Sequence, residues 1–264
     1  MNGTVRMHDS RATSIYRALA ASFVLILVAA SASFGQAYPR WFLDPGDLSC
    51  RLVAAGFSTT YYHSSSSDSV AFVDACSNLS SRHYMELTGG EAYWTTEAGV
   101  AWMGNDFSVK TDTVFFRSVL THGKKLDSCV CGQMTMVLVG EGECDISDSM
   151  RALVECPASE PDWVENIPQG GSSIYAEGVA PLYYYESSSW ESAEKNALFN
   201  LARSIKVSME ALQKMNGGAG QEIKNEQITV TLRNVQVVRR WRDIRRGLCY
   251  VLVRMPMTET GGGN

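Results

Sequence analysis

The sequence is poor in the residues and motifs that usually mark an enzyme. Histidine occurs only 4 times in 264 residues, and His63, His83 and His122 lie in no His-Glu-x-x-His or similar spacing. The glycine-rich run 216–220 follows a predicted helix and precedes a predicted strand, which is the reverse of a dinucleotide-binding turn. The formal net charge is −5, so no basic excess favours nucleic acid as a partner. We therefore expect no cofactor and no nucleic-acid binding.

The first 37 residues have the three parts of a secretory signal peptide. Three arginines come first, an uncharged apolar run over 18–32 follows, and small residues come after it. Two cleavage sites fit, one after Ala32 and one after Ala37. The second is preferred because it starts the mature chain at Tyr-Pro-Arg-Trp, which makes residues 1–37 the signal. The sequence therefore predicts export.

An uncleaved membrane anchor is the alternative use of this segment. The apolar run is shorter than the ~20 residues that a membrane-spanning helix needs, which favours cleavage. An uncleaved segment would associate the protein with a membrane. No cysteine follows the apolar run until Cys50, so a lipid-modified N-terminus is disfavoured.

All seven cysteines follow the predicted signal peptide, and an oxidising compartment would allow them to pair. An odd number leaves at least one unpaired or joined to another molecule. Cys144 and Cys156 flank a short acidic loop and are the first candidates for a pair. Cys129 and Cys131, with His122 before them and Cys144 after, offer zinc ligands instead, but Cys-x-x-Cys turns are more usual at zinc sites. We expect disulfides rather than a metal.

One catalytic pattern is present without its partners. Ser192-x-x-Lys195 matches the nucleophile motif of penicillin-recognising enzymes, but the Ser-Asp-Asn and Lys-Thr-Gly motifs of those enzymes are absent from the sequence. The same residues fit an exposed turn of a helix. We therefore predict that the protein is not an enzyme.

One stretch of the chain occurs twice with changes. YYHSSSSDSVAFVDACSNLSSR begins at Tyr61, and YYYESSSWESAEKNALFNLARS begins at Tyr183. The same alignment extends back to two Pro-x-Trp motifs, and further along 114–120 resembles 230–237 and 136–139 resembles 250–253. The sequence therefore indicates a tandem duplication, with too few copies for a solenoid. The matched residues include Gly56 with Gly178, Ala71 with Ala193, Ala75 with Ala197, Asn78 with Asn200, and Leu79 with Leu201.

The second copy predicts the order β-α-β-β. A strand over 172–180 precedes a helix that begins at Ser188, where Glu191 completes a capping box. Apolar residues then recur at three- and four-residue steps from Trp190 to Met215, and the Asn-Gly-Gly that follows ends the helix. Strands rich in β-branched residues are predicted over 227–238 and 248–254.

The first copy gives the same order. A strand is predicted over 51–57, a helix over 68–87 that Gly89 and Gly90 terminate, and strands over 112–120 and 129–139. The predicted fold class is α+β, with two tandem β-α-β-β modules. Each module has one amphipathic helix packed on a small, mainly antiparallel sheet. The predicted domains are the signal at 1–37, the modules at 38–156 and 157–260, and a flexible tail at 261–264.

The second copy resembles the LPP-twenty lipoprotein family. The residues that carry this resemblance are Tyr-Ala-Glu-Gly at 175–178 and Ala-Glu-Lys-Asn-Ala-Leu-Phe-Asn-Leu-Ala-Arg at 193–203. Members are small bacterial cell-envelope proteins, and their module is also similar to the N-terminal domain of flagellar assembly protein T. The resemblance implies an α+β fold without a catalytic set, in the periplasm or cell envelope of a bacterium.

The sharpest surface feature is a cluster of arginines at the predicted turn over 239–247. Arginine binds phosphate and carboxylate groups with two parallel hydrogen bonds, and tryptophan suits an interface. A solvated turn whose charges prevent edge pairing is the alternative. The predicted interaction surface consists of Arg239, Arg240, Trp241, Arg242, Arg245 and Arg246.

From these features we expect a non-enzymatic exported protein that acts through contacts, as an assembly or structural factor. Its expected partner is another envelope protein or an anionic envelope surface. The alternative is a sensory domain that holds a small ligand or glycan in the cleft between the two modules.

Overall fold

A computed structural model of the chain describes residues 36–60, 64–96, 99–216 and 228–257. The described helices are α1 (Arg40–Leu43), α2 (Ser64–His83), α3 (Thr113–His122), α4 (Asp148–Arg151), α5 (Asp162–Glu165) and α6 (Glu186–Asn216). The described strands are β1 (Ala37–Pro39), β2 (Val53–Thr59), β3 (Tyr84–Thr96), β4 (Gly99–Thr111), β5 (Lys124–Cys131), β6 (Met134–Gly140), β7 (Leu153–Glu155), β8 (Ser173–Pro181), β9 (Ile228–Arg233), β10 (Gln236–Asp243) and β11 (Leu248–Pro256).

Two of the sheets repeat one topology, which confirms the predicted α+β class. We call β2, α2, β5 and β6 the first module, and β8, α6, β10 and β11 the second module. The strand orders are β2-β6-β5 and β8-β11-β10, so the last strand of each module lies in the middle of its sheet. Gly56 pairs with Val137 in the first sheet, and Gly178 pairs with Val251 in the second. This register confirms the predicted match of 136–139 with 250–253.

The repeated glycine and alanines let each long helix lie directly on its sheet. A Cβ atom on Gly178 would lie 2.1 Å from the carbonyl oxygen of Ala193 and 2.2 Å from the nitrogen of Ala197. A Cβ atom on Gly56 would meet the backbone of the matching alanines at 2.2 and 2.0 Å. Only glycine leaves room for this approach of helix backbone to strand backbone, which explains why these residues occur twice.

Helix side chains also cover the outer edge of each sheet. Asn78 donates its side-chain amide to the carbonyl oxygen of Ala55 at 3.0 Å. The matching Asn200 donates to the carbonyl oxygen of Glu177 at 2.8 Å. One helical turn earlier, Asp74 accepts a hydrogen bond from the Phe57 backbone at 2.8 Å. These side chains satisfy backbone groups that no neighbouring strand pairs, so β2 and β8 are protected against pairing with another chain.

A third sheet has no counterpart in the repeat. The hairpin β3–β4 and helix α3 lie between α2 and β5 in the chain. Strand β9 pairs with β3, whereas β10 pairs with β11 in another sheet. The predicted strand over 227–238 is therefore two strands, and the chain changes direction at Asn234, whose φ is +52°. Asparagine tolerates this left-handed conformation better than most residues.

Several predicted boundaries in the first copy are wrong. The helix predicted over 68–87 begins at Ser64 and ends at His83, and Gly89 lies in β3. The strand predicted over 112–120 is helix α3, because the carboxylate of Asp112 caps its N-terminus through the backbone N–H groups of Val114 and Phe115. The predicted match of 114–120 with 230–237 therefore pairs a helix with a strand and is also wrong.

The start of α6 also differs from its prediction. The helix begins at Glu186, so Ser188 and Glu191 lie inside it and do not form a capping box at its first turn. The predicted end at Asn216 agrees with the described helix, and the glycines after it lie outside the described residues.

Residues 36–47, which we call the N-terminal segment, join the two modules. The ring of Phe42 lies 5.9 Å from Phe57 in β2 and 5.2 Å from Trp190 in α6, with edge-to-face geometry in both pairs. All three side chains belong to one buried apolar cluster that contains residues of both sheets. The two modules therefore share a core. A smaller cluster lies between α2, α3 and the other face of the first sheet.

The predicted Cys144–Cys156 pair is wrong. Cys144 is bonded to Cys50, which ties the segment before β2 to the segment after β6. The Sγ atom of Cys156 instead accepts a hydrogen bond from the backbone N–H of Arg242 at 3.3 Å.

We expect Gly178→Ala to destabilise the protein by about 3 kcal/mol or more, because the added methyl group meets backbone atoms that move only with α6. Gly247→Ala is the control, since Gly247 has a φ of +66° but nothing within 4 Å of an added Cβ atom. Its expected cost is about 1 to 2 kcal/mol, from the left-handed conformation alone. Urea denaturation measures the free energy of unfolding of both variants. Equal losses of unfolding free energy in the two variants would contradict the close approach of α6 to β8.

Candidate interaction surface

The arginine-rich segment lies mainly in a strand. Residues 239–243 belong to β10, and only 244–247 form the turn to β11. The segment predicted as a turn over 239–247 is therefore mostly extended. Arg240 and Trp241 are buried, and the indole N–H of Trp241 donates to the carbonyl oxygen of Pro157 at 2.8 Å. The sequence predicted that these two residues belong to the interaction surface, and this prediction is wrong because both lie in the interior.

Arg240 belongs to a buried ion triad with Arg82 and Glu194. The carboxylate of Glu194 binds Arg240 through one oxygen and Arg82 through the other. Each arginine also binds a backbone carbonyl: Arg82 donates to the carbonyl oxygen of Val53 at 2.8 Å, and Arg240 to that of Phe42 at 2.6 Å. Burial raises the pKa of Glu194, but the two arginines outweigh it and hold this pKa below its ordinary value.

Arg242 forms a second internal contact with the N-terminal segment. Its guanidinium donates to the side-chain oxygen of Gln36 at 2.8 Å and to the hydroxyl of Tyr38 at 3.2 Å. Tyr38 in turn donates to the carboxylate of Glu186. Burial, together with Glu186, raises the pKa of Tyr38 far above its usual range, so the hydroxyl stays protonated.

Arg239 binds the same segment from the edge of the sheet. Its guanidinium lies 3.4 Å from the carboxylate of Asp44 and 2.9 Å from that of Asp47. Arg239, Arg240 and Arg242 therefore attach the N-terminal segment to the second module. One feature of the sequence indicates a buried cation. Glu194 lies within the apolar stripe of α6, and an acid there needs a buried partner of opposite charge.

The exposed part of the predicted surface is the turn. Ile244 is 54% exposed, and Arg245 is also exposed. The carboxylate of Asp243 accepts hydrogen bonds from the backbone N–H groups of Arg245 and Arg246, both at 2.9 Å. These bonds fix the conformation of the turn. The guanidinium of Arg246 lies 2.9 Å from Glu160, whereas that of Arg245 makes no ion pair within the described part of the chain.

Three consecutive tyrosines adjoin this turn. The exposed fractions of Tyr183, Tyr184 and Tyr185 are 48%, 84% and 51%. The backbone N–H of Leu182 donates to the carbonyl oxygen of Gly247 at 2.8 Å, which joins the tyrosine loop to the turn. The repeat alignment covered these tyrosines but did not predict a surface. Their position before the apolar stripe of α6 was the available signal. We call Tyr183, Tyr184, Tyr185, Ile244 and Arg245 the tyrosine–arginine surface.

This surface has the composition of a protein-binding site. Tyrosine and arginine are enriched among the residues that contribute most to binding energy in interfaces. Tyr184 and Tyr185 contact each other edge to face, with ring centroids 5.0 Å apart. Hydrogen bonds to backbone N–H groups hold both the loop and the turn, so little backbone conformational entropy is lost on binding.

The residues of the two chemical patterns have described positions. Ser192 and Lys195 lie on α6, where Lys195 Nζ lies 5.6 Å from the ring centroid of Phe199. Cys144 is held in the disulfide, so it does not join Cys129 and Cys131. Among the described residues, no group of three or more His, Cys, Asp and Glu side chains is arranged to hold a metal. His63 lies outside the described residues.

The fold and this surface define a class: a two-module α+β protein with an exposed tyrosine–arginine surface. Comparison of the chain with family models, with curated proteins and with solved structures gave no match. The resemblance to the LPP-twenty family therefore stays a prediction.

We expect Glu194→Gln to destabilise the protein by about 3 to 5 kcal/mol at neutral pH, because it leaves Arg82 and Arg240 buried without a counter-charge. Asp145→Asn is the control. Asp145 pairs with Lys124 at 3.6 Å, and their side chains are 101% and 59% exposed, so its loss should stay below about 1 kcal/mol.

The loss of stability in Glu194→Gln should depend on pH. The pKa of Glu194 is lowered in the folded state, so its contribution is fully present above the unfolded pKa, about 4.3. This contribution is lost as the pH falls through the folded pKa. The difference in unfolding free energy between wild type and Glu194→Gln should therefore narrow on acidification. A constant difference across that pH range would contradict the ionised triad.

Proposed function

We propose that this protein is an exported, non-enzymatic cell-envelope protein that acts by binding another protein. The tyrosine–arginine surface is the observation that carries this proposal. It exposes three consecutive tyrosines, two of them in ring contact, in a chain whose other tyrosines and tryptophans with described side chains are at least partly buried. The two fused modules serve as a rigid support for that surface.

The charges of the surface favour a protein partner over an anionic envelope surface. Binding to a polyanion uses several free cations together. In the described second module, Arg239, Arg240, Arg242 and Arg246 all pair with carboxylates of this chain. Arg245 alone of the predicted arginines makes no ion pair within the described residues. One arginine beside three tyrosines suits a carboxylate at the edge of an apolar protein patch.

A ligand held between the two modules, the alternative function, gains no support from their described junction. Phe42 is buried there between Phe57 and Trp190, and the buried carboxylate of Glu194 binds arginines of both modules. The described residues do form a cleft of about 320 Å³, but it lies within the first module, at the edge strand β5.

The N-terminal contacts bear on the proposed signal peptide. Gln36 binds Arg242, and Ala37 pairs with Glu155 in the β1–β7 sheet. Cleavage after Ala37 would remove both and would place a charged terminus at Tyr38, which is completely buried. We therefore propose cleavage after Ala32. None of the described helices is long and apolar enough to cross a membrane.

We expect the mature protein to begin at Ser33 when the full chain is expressed in an exporting bacterial host. Intact mass of the purified protein gives the cleavage site. Ala32→Glu should abolish the form that begins at Ser33, because signal peptidase needs a small residue before the cut, whereas Ala37→Glu should be processed normally. A mature chain that begins at Tyr38, with the opposite response of the two variants, would contradict this proposal.

We expect Tyr184→Ala combined with Arg245→Ala to reduce capture of the partner from envelope extract by about tenfold or more, since each residue supplies on the order of 1 kcal/mol. The tagged full chain serves as bait, and quantitative mass spectrometry compares captured proteins between variants. The matched control is Val114→Ala with Arg117→Ala, which removes an exposed apolar side chain and an exposed arginine from α3.

The expected partner is a protein whose capture falls with the surface variant but not with the control variant. Equal capture by wild type and the surface variant would contradict the proposal. Sedimentation with anionic phospholipid vesicles provides a second arm. Vesicle binding that Arg245→Ala alone abolishes would identify an anionic surface as the partner instead.

A further inference from the structure

Two thiols lie in contact on the edge strand of the first module. Cys129 and Cys131 are two residues apart in β5, so their side chains project from the same face. Their Sγ atoms are 3.1 Å apart, which is closer than an ordinary contact between sulfur atoms. Closing this gap to the bonding distance of about 2.05 Å needs an adjustment of the backbone as well as a side-chain rotation, because residues two apart in a strand lie about 6.6 Å apart at Cα.

The two sulfurs differ in access. Cys131 is 6% exposed and belongs to the shared apolar core. Cys129 is partly exposed, on the edge strand β5. An external molecule therefore meets Cys129 before Cys131.

The thiols also differ in acidity. The hydrogen bond between them lowers the pKa of Cys129 and raises that of Cys131. The thiolate is the reactive form in disulfide exchange. The accessible sulfur is therefore also the more nucleophilic one at neutral pH, and the buried sulfur stays protonated until a bond forms beside it.

The other free cysteines lack this arrangement. Cys76 lies in the contact between α2 and α3, where burial raises its thiol pKa to about 11. Cys249 is completely buried in the second sheet. Cys156 is bound by the backbone of Arg242. Among the described free thiols, only Cys129 and Cys131 are in sulfur–sulfur contact.

We propose that Cys129 and Cys131 form a reversible two-electron redox couple that reacts with external disulfides. The Cys129 thiolate attacks one sulfur of the disulfide, forms a mixed disulfide and releases one thiolate. Cys131 then loses its proton to water and attacks Cys129 Sγ, which forms the Cys129–Cys131 disulfide and releases the second thiolate. The external disulfide gains two electrons and the pair loses two. This site is separate from the tyrosine–arginine surface and does not depend on its function.

The test uses the purified full chain with the Cys50–Cys144 disulfide intact. The protein is equilibrated at a series of ratios of reduced to oxidised glutathione, quenched with acid and labelled with a maleimide, and intact mass counts the remaining thiols. In wild type, two of the five free thiols should disappear together. Peptide mapping should find Cys129 joined to Cys131.

The single variants distinguish the two roles. Cys131→Ser should accumulate one glutathionyl group on Cys129, because no second thiol resolves the mixed disulfide. Cys129→Ser should show no adduct on Cys131, and the control Cys156→Ser should behave as wild type. Thermal unfolding of each variant establishes that it is folded. Three outcomes would overturn the proposal: all five thiols free at the most oxidising ratio, equal behaviour of the two variants, or Cys129 bonded to another cysteine.

Discussion

The carboxylate of Glu194 organises the described structure. It is buried between Arg82, from the last turn of α2, and Arg240, from β10. Each arginine also binds a backbone carbonyl, in β2 and in the N-terminal segment respectively. A buried charge is tolerated only when its partners are all in place. Two helices, two strands and the N-terminal segment therefore have to adopt one relative position.

The duplication supplies the parts that this triad joins. In both modules a glycine in the first strand and two alanines in the helix allow backbone contact, and an asparagine one turn further covers the strand edge. The copies then differ in the elements added to each. The first carries the β3–β4 hairpin and α3, and the second returns strand β9 to that hairpin. The modules thus share a sheet as well as a core.

The arginine-rich segment contains internal and exposed arginines, and the position of each arginine in the strand or in the turn decides which it is. Arg240 and Arg242 lie on the face toward α6 and hold the chain together, whereas Arg245 lies on the turn beside three tyrosines. Composition predicted an arginine cluster at a surface but not which members are exposed. For the thiol pair, the sequence likewise shows only that the two cysteines are two residues apart. The contact between the two sulfurs and their unequal burial depend on how β5 packs against residues distant in the chain.

The sequence by itself determined the first strand, the long helix and the middle strand of each module, because these follow from local periodicity and from small residues at fixed spacing. The other strand of the first copy was predicted wrongly, since 112–120 is helix α3 and 129–139 spans the β5–β6 hairpin. The sequence did not determine the α3 helix, the division of 227–238 between two sheets, or the Cys50–Cys144 bond. Those features, like the burial of Arg240, were decided by the tertiary structure. The physical reason is that a charge, a thiol or a strand edge is stabilised by its partner, and here the partners lie far apart in the chain.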